Sequence, residues 1–211
     1  CGGRCMTRPT LIAVPVKDPA LAKSRLSTVL PDAARTRLAR SMLRRTLQFL
    51  APGPQDPWDL AVVTASAEAA RIAQDEGARL LPEPEALGLS AAAQTACDWA
   101  HRQGYARLAL VPMDLIAPLR GDLLRLLSAS ARLTVCPAHD GGTNAMVMDL
   151  PYPAGFHFGP GSAARHYAAA QETGLAPVLC PLDSFRYDLD TSAQLAPALR
   201  AHPDLAQAVE G

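Results

Sequence analysis

The sequence predicts an α/β fold in which a mostly parallel, mixed central sheet is flanked by helices. Three observations predict it. Short apolar runs alternate with stretches of helical period along most of the chain. The run Leu108-Ala109-Leu110-Val111 is apolar at every position, so both of its faces need cover. At 211 residues with 49% apolar content, the chain is long enough to close one substantial core and too short for two full domains.

The elements follow in order. Residues 10–16 read as a first buried strand, followed by a polar, basic stretch over 17–25. Asp32 opens a long helix to about Leu50, judged by the spacing of Leu38, Met42, Leu43 and Leu47. After a Pro- and Gly-rich loop, 59–64 reads as a second strand, and Ser66 caps a helix to about Gly77. A short strand over 79–81 leads to a Pro-rich loop, and Ser90 caps the next helix, to about Gly104. Strand 107–111, helix 119–128 and strand 132–136 extend the alternation, and 144–149 adds a further strand. A helix from Ser162 to about Thr173 follows, and a last helix lies beyond Thr191. Strand, helix, strand repeated in this way means a sheet covered on both faces, with ligands expected beyond the carboxyl ends of the strands.

Composition narrows the function. Twenty basic and twenty acidic residues cancel, which argues against a broad nucleic-acid or membrane footprint while permitting a local cationic pocket. No uncharged apolar stretch reaches the length of a membrane span, and the start of the chain does not read as a secretory signal. Residues 1–5 precede Met6 and read as a remnant or upstream extension, so the single domain is taken as 6–211. Cys97, Cys136 and Cys180 are too widely spaced for a disulfide framework or a paired zinc motif. They read as single thiols in a reducing cytoplasm.

Five loops after strands carry the chemistry. The first, over 16–26, holds Lys17, Lys23, Ser24 and Arg25. Three cations and a hydroxyl there can hold a triphosphate, or form an ordinary solvated basic loop; the glycines of a Walker A or dinucleotide turn are missing. The second places Asp114 just past a buried strand, where it can hold Mg2+ or begin a turn. The third, over 139–145, pairs Gly141-Gly142 with Thr143 and Asn144: a close-approach loop with hydrogen-bonding groups, or a hairpin turn.

The fourth loop, over 156–166, has Gly159-Pro160-Gly161 before the helix that Ser162 opens. A helix start offers free N–H groups and the positive end of a dipole to an anion. Arg165 and His166 would add positive charge on its first turn. The plainer alternative is simple capping by Ser162, with His166 a surface or core residue. The fifth, over 187–195, carries Asp188 and Asp190, which share a face if the segment is an extended strand. Two carboxylates there repel unless a cation such as Mg2+ lies between them. Asp190 or Thr191 can also cap the last helix.

Together, V-P-V-K…A-K-S-R-L, P-M-D-L, G-G-T-N-A, F-G-P-G-S-A-A-R-H and D-L-D-T-S-A-Q-L resemble the 2-phospho-L-lactate guanylyltransferase family, which includes phosphoenolpyruvate guanylyltransferases. The resemblance runs from about Leu11 to Leu195. It implies a Rossmann-like nucleotidyltransferase fold of the GT-A type and a Mg2+-dependent enzyme of coenzyme F-420 biosynthesis. GMP would pass from GTP to the phosphate of a small phosphorylated carboxylic acid, such as 2-phospho-L-lactate, phosphoenolpyruvate or 3-phosphoglycerate. By position it implies Lys17, Asp114 and Asp190 as catalytic groups, and Asp114, Asp188 and Asp190 as metal ligands. Lys17 matches a residue at the acid or the nucleotide phosphates; with Lys23 and Arg25, read above as triphosphate groups, and Ser90, standing where the family usually has Asn, it makes up the expected nucleotide set. Thr143, Asn144, Gly159, Gly161, Ser162 and Arg165 fall to the acid. The expected partners are GTP and that acid, with no nucleic acid and no membrane, in the cytoplasm; a homodimer is compatible with the sequence. The alternatives are a nucleotidyltransferase with another nucleotide or acceptor, and a nucleotide-binding paralogue without catalysis.

Overall fold

The structure is a computed structural model that describes residues 10–83 and 85–210. The segment 1–5 lies outside the described residues. Seven strands, β1 (Thr10–Pro15), β2 (Trp58–Thr64), β3 (Arg79–Pro82), β4 (Arg107–Leu110), β5 (Leu133–Pro137), β6 (Thr143–Asp149) and β7 (Val178–Leu179), form one sheet in the order β3-β2-β1-β4-β6-β5-β7. The pairs β2–β3, β1–β2, β1–β4 and β5–β7 are parallel; β6 runs antiparallel to β4 and β5. The mostly parallel mixed sheet is therefore observed, with β6 as the reversed strand.

Strand alternation divides the core in two. Ile12 and Val14 of β1 and Leu60 and Val62 of β2 face one layer. That layer is closed by α1 (Asp32–Leu50), α2 (Ala67–Asp75) and α4 (Arg120–Leu127) through residues such as Leu43, Ile72 and Leu123. Leu11, Ala13, Ala61 and Val63 face the other side. It is covered by the alanine-rich face of α3 (Leu89–Arg102) and by α5 (Ser162–Glu172). Small residues such as Ala92, Ala93 and Ala96 let α3 approach the strands closely. A third cluster packs α1 against α6 (Ser192–Ala201) and α7 (Pro203–Glu210) through Leu38, Met42, Ala198 and Leu205.

Three of the elements differ from sequence expectation. The two-residue strand β7 and the separate helix α7 are too short to show a period in the sequence. Helix α3 starts with Gly88 as its N-cap, at φ +97°, so Ser90 is inside the helix and does not cap it. Ser66 does cap α2, its Oγ accepting from the Ala69 N–H at 3.4 Å. Among the described residues no helix is long and apolar enough to cross a membrane.

The reversal at β6 positions the site. Leu110 of β4 pairs with Met146 and Arg107 with Asp149, so the first residue of β6, Thr143, emerges at the edge where β4 ends. Strands β1, β4, β5 and β7 all point their carboxyl ends to that edge. The five loops singled out in the sequence converge there.

Candidate active site

One half of the cleft is charged. Its loop, 16–26, is folded by its own polar groups into two 3-10 turns, Pro19–Leu21 and Ser24–Leu26. Asp18 accepts from the Ala20 N–H at 2.8 Å and from the Ser66 hydroxyl at 2.9 Å, fixing the first turn to the start of α2. Arg35, buried on α1, donates to the Ala22 carbonyl at 3.1 Å and to Asp32 at 2.6 Å. Lys23, next in the chain, takes the left-handed conformation at φ +57°, unusual for a residue with a Cβ. That conformation sends the side chain inward, where it is only 2% exposed. Its ammonium donates to Asp114 at 2.5 Å and to Asp190 at 3.1 Å.

The carboxylates come from two loops held together by backbone. The Leu189 N–H donates to the Asp114 carbonyl and the Ile116 N–H to the Tyr187 carbonyl, with an antiparallel bridge between Leu115 and Asp188. The Thr46 hydroxyl anchors the Met113 carbonyl at 2.8 Å. Gln194 Oε1 accepts from the N–H groups of Asp190 and Thr191, tying the triad to the start of α6. The segment carrying Asp188 and Asp190 is thus an isolated bridge and a helix entry, not the extended strand expected. The two carboxylates nevertheless share a side, because the bridge fixes Asp188 and the Gln194 bonds fix Asp190. Oxygens of Asp114, Asp188 and Asp190 lie within 4.8 Å of one another.

Charge crowding is visible in the protonation equilibria. Burial raises the Asp188 carboxyl above the usual carboxylate range, and the charges of Asp114 and Asp190 raise it further. Burial disfavours the Lys23 ammonium, but Asp114 and Asp190 outweigh that and hold it above the usual lysine value. Three oxygen donors with surplus negative charge fit a hard divalent cation such as Mg2+. Arg25, 71% exposed, stands 3.8 Å from Asp190, and Lys17, two residues past the end of β1, is exposed. Of the three cations expected at the triphosphate, two are exposed and the third, Lys23, is bound to the carboxylates.

The other half is neutral. The 138–142 loop closes a β5–β6 hairpin, so the turn reading of Gly141-Gly142 is correct. It also packs on the second glycine turn: a Cβ on Gly141 would meet Gly161 Cα at 4.0 Å. The Gly141 carbonyl accepts from the Ala163 N–H and the Gly159 carbonyl from the Ser162 N–H. Two N–H groups at the start of α5 are therefore engaged within the protein, contrary to the free helix start expected. Polar side chains pair beside this turn instead: Thr143 is half-buried, and Ser162 and His166 are buried. Ser162 Oγ lies 2.9 Å from Thr143 Oγ1, which lies 3.1 Å from His166 Nδ1. His166 adds no positive charge: burial pushes its pKa down to about 4, with His157 and Arg165 assisting.

The remaining predicted residues support this half. Arg165 donates to the His157 and Phe158 carbonyls, and a Cβ on Gly159, at φ +116°, would meet its Nη2 at 3.4 Å. Ser90 Oγ accepts from the Phe158 N–H at 3.2 Å, so Ser90 braces the 156–161 loop from α3. Asn144 is 5% exposed, and its amide donates to the Phe185 carbonyl at 2.8 Å, pinning β6 to the 183–185 turn. Sequence reasoning missed Asp18, Arg35 and Gln194, the groups that aim the charged half. Arg35 left one signal: a cation three residues before Leu38, on the apolar stripe of α1.

The family description "Guanylyl transferase CofC like" matches residues 10–198. The chain belongs to this family. A 3-phospho-D-glycerate guanylyltransferase of Colwellia psychrerythraea is 35% identical over 190 residues, covering 88% of this chain and 89% of its own. A phosphoenolpyruvate guanylyltransferase of Chloroflexus aggregans is 33% identical, covering 87% and 94%. Solved structures show the same fold at lower identity. A chain from Desulfovibrio desulfuricans G20 described as a nucleotide-diphospho-sugar transferase superposes with a TM-score of 0.69 at 18% identity, covering 93% of this chain and 92% of that one. A glucosyl-3-phosphoglycerate synthase of Mycobacterium tuberculosis, solved with Mn2+ and uridine diphosphate, gives 0.59 at 12% identity, covering 96% and 80%. In this guanylyl transferase CofC-like chain the matched region contains both halves of the cleft.

Proposed function

We propose that the chain transfers the guanylyl group of GTP to the phosphate of a small phosphorylated carboxylic acid, 3-phosphoglycerate or phosphoenolpyruvate, and releases pyrophosphate. The observation that carries this reading is the meeting, at one sheet edge, of a three-carboxylate cluster and a neutral hydroxyl pair inside a family whose relatives are named for those two acids. A phosphate oxygen of the acid attacks the α-phosphorus of GTP in line. The new P–O bond forms as the bond to the β-phosphate breaks, and pyrophosphate leaves with the electron pair. A phosphate dianion is nucleophilic at neutral pH, so no general base is needed.

Asp114, Asp188 and Asp190 would hold Mg2+, which would supply charge neutralisation at the phosphoryl groups. Lys17 and Arg25, at the opening, offset charge on the triphosphate and on departing pyrophosphate. Lys23, held against Asp114 and Asp190, would place a further positive charge beside the carboxylates. The Thr143–Ser162 pair donates a hydrogen bond to the acid, and Gly159 and Gly161 let its anionic group approach the backbone. Catalysis then rests on position and charge, as expected for phosphoryl chemistry.

The test is pyrophosphate release from GTP and Mg2+ with 3-phosphoglycerate, phosphoenolpyruvate and 2-phospho-L-lactate in turn. Release with one acid and none without acid is the expected result. Release that needs CTP, ATP or UTP in place of GTP would overturn the guanylyl assignment.

A further inference from the structure

His166 is fully buried behind the Thr143–Ser162 pair, and the reaction just described gives it no task. Its two nitrogens have different partners. The backbone N of His157 lies 2.8 Å from Nε2, and Thr143 Oγ1 lies 3.1 Å from Nδ1. A backbone N–H can only donate. Nε2 must therefore present a lone pair, and the single ring proton resides on Nδ1, from which it is donated to Thr143. The edge-to-face contact with Phe158, at 4.8 Å between ring centres, holds the imidazole in that plane. The depressed pKa agrees with a neutral ring.

The consequence falls on the hydroxyls. Thr143 and Ser162 share one mutual contact, and between them they own two protons. One proton makes that contact, whichever hydroxyl gives it. Thr143 has already accepted from the imidazole, so the other proton cannot be donated backwards. It is left for a ligand that meets the half-buried Thr143 end of the pair. The opposite tautomer would accept the Thr143 proton and turn a lone pair toward the ligand.

We propose that His166, oriented by the His157 backbone N–H, is a positioning residue that makes the Thr143–Ser162 pair an obligate donor to an unprotonated anionic oxygen of the acceptor acid. The inference rests on the reading that the acid binds at this pair. The selectivity it confers is for an ionised phosphate or carboxylate oxygen over a hydroxyl or ester at that position. Phe at 166 fills the space and deletes both bonds. Gln can restore both, since an amide carries an acceptor oxygen and a donor nitrogen.

The test joins a spectrum to kinetics. Heteronuclear NMR of histidine-labelled full-length protein at neutral pH should show His166 protonated at Nδ1 alone. In pyrophosphate-release assays, His166→Phe should raise KM for the acid about tenfold or more, the scale of one hydrogen bond to a charged group. KM for GTP should stay within about twofold, and His166→Gln should recover most of the loss. Thr143→Val should reproduce the His166→Phe effect, and the double variant should add nothing to it. An Nε2-protonated or doubly protonated ring would overturn the proposal, as would equal shifts in both KM values. If His166→Phe fails to fold, as a melting curve would show, Thr143→Val and the spectrum still decide. If wild-type protein releases no pyrophosphate with any acid, the functional reading fails by itself. Calorimetric binding of phosphoenolpyruvate to wild type and Thr143→Val, with the spectrum, then decides the relay: equal binding would sink it.

Discussion

The two halves of the cleft reach readiness by opposite routes. In the charged half, Lys23 sits among carboxylates that a divalent cation would also bind, so its contacts must be exchanged when ligands arrive. In the neutral half one backbone N–H, that of His157, orients the imidazole, and the imidazole in turn orients the Thr143–Ser162 pair. The charged half stores like charges that a cation relieves. The neutral half is preorganised, the arrangement that costs least at the moment of reaction. The difference teaches which residues respond to metal and which do not, and each variant below tests that division.

The largest effect belongs to the carboxylates. Asp114→Asn should lower Mg2+-dependent pyrophosphate release by a factor on the order of 100 to 1,000, the loss typical when one preorganised electrostatic group is removed. The fold should persist, since Asn keeps the shape and Asp190 still pairs Lys23. Near-normal turnover would remove Asp114 from the metal site and dissolve the distinction between the halves.

Lys23→Met comes next. It leaves three crowded carboxylates without their buried cation, which should destabilise the protein by about 3 kcal/mol in a chelator. That is the low end for a buried pair, because Asp190 is 38% exposed. Saturating Mg2+ or Mn2+ should recover most of it, and metal should raise the melting temperature of the variant more than that of wild type. An equal loss with and without metal would mean that Lys23 merely packs and that cation and ammonium do not share the carboxylates.

The neutral half should announce itself through pH. His166 titrates near 6.5 when unfolded and near 4 when folded, so below about pH 6.5 the unfolded chain binds the extra proton first. Its contribution, roughly 3 kcal/mol at most, is complete above pH 6.5 and is lost as pH falls toward 4. Asp188 works against this trend, since its raised pKa means that acid relieves repulsion in the folded state. The difference between wild type and His166→Phe isolates the histidine: the gap in stability should narrow from pH 7 to pH 4. A gap independent of pH would show that His166 is not a buried neutral imidazole.

These contrasts also explain what the sequence could and could not disclose. The strands were legible because both faces of the sheet are covered, leaving uninterrupted apolar runs such as 108–111. The carboxylates were legible because they sit directly after strand ends, where ligands bind in such sheets. The direction of Lys23 was not, since it depends on one left-handed residue and on Arg35 holding the preceding carbonyl. Nor was the state of His166, which is set by a backbone N–H nine residues away in sequence. Arg165 looked like a ligand group because a cation on the first turn of a helix calls for an anion, and Ser90 because it stands where the resembled family has Asn, yet their hydrogen bonds go to the 156–161 loop. Polar residues near a glycine turn serve the turn or the ligand, and spacing alone does not separate the two.

Arg165 offers the smallest and sharpest separation of those roles. Its side chain is exposed, but its guanidinium donates to the carbonyls of His157 and Phe158, one of them in the residue whose N–H orients His166. If Arg165 acts only through the loop, Arg165→Ala should raise KM for the acid a few-fold, the scale of one or two exposed neutral hydrogen bonds. Turnover at saturation should be almost unchanged, and the Nδ1 protonation of His166 should become less uniform in the NMR spectrum. Arg165→Lys should restore little, because an ammonium cannot span two carbonyls as a planar fork does. A loss of about 100-fold with His166 unchanged would instead mean that Arg165 swings onto the acid as a charged ligand. The neutral half would then contain one mobile cation, and the division between a responsive and a preorganised side would have to be redrawn around it.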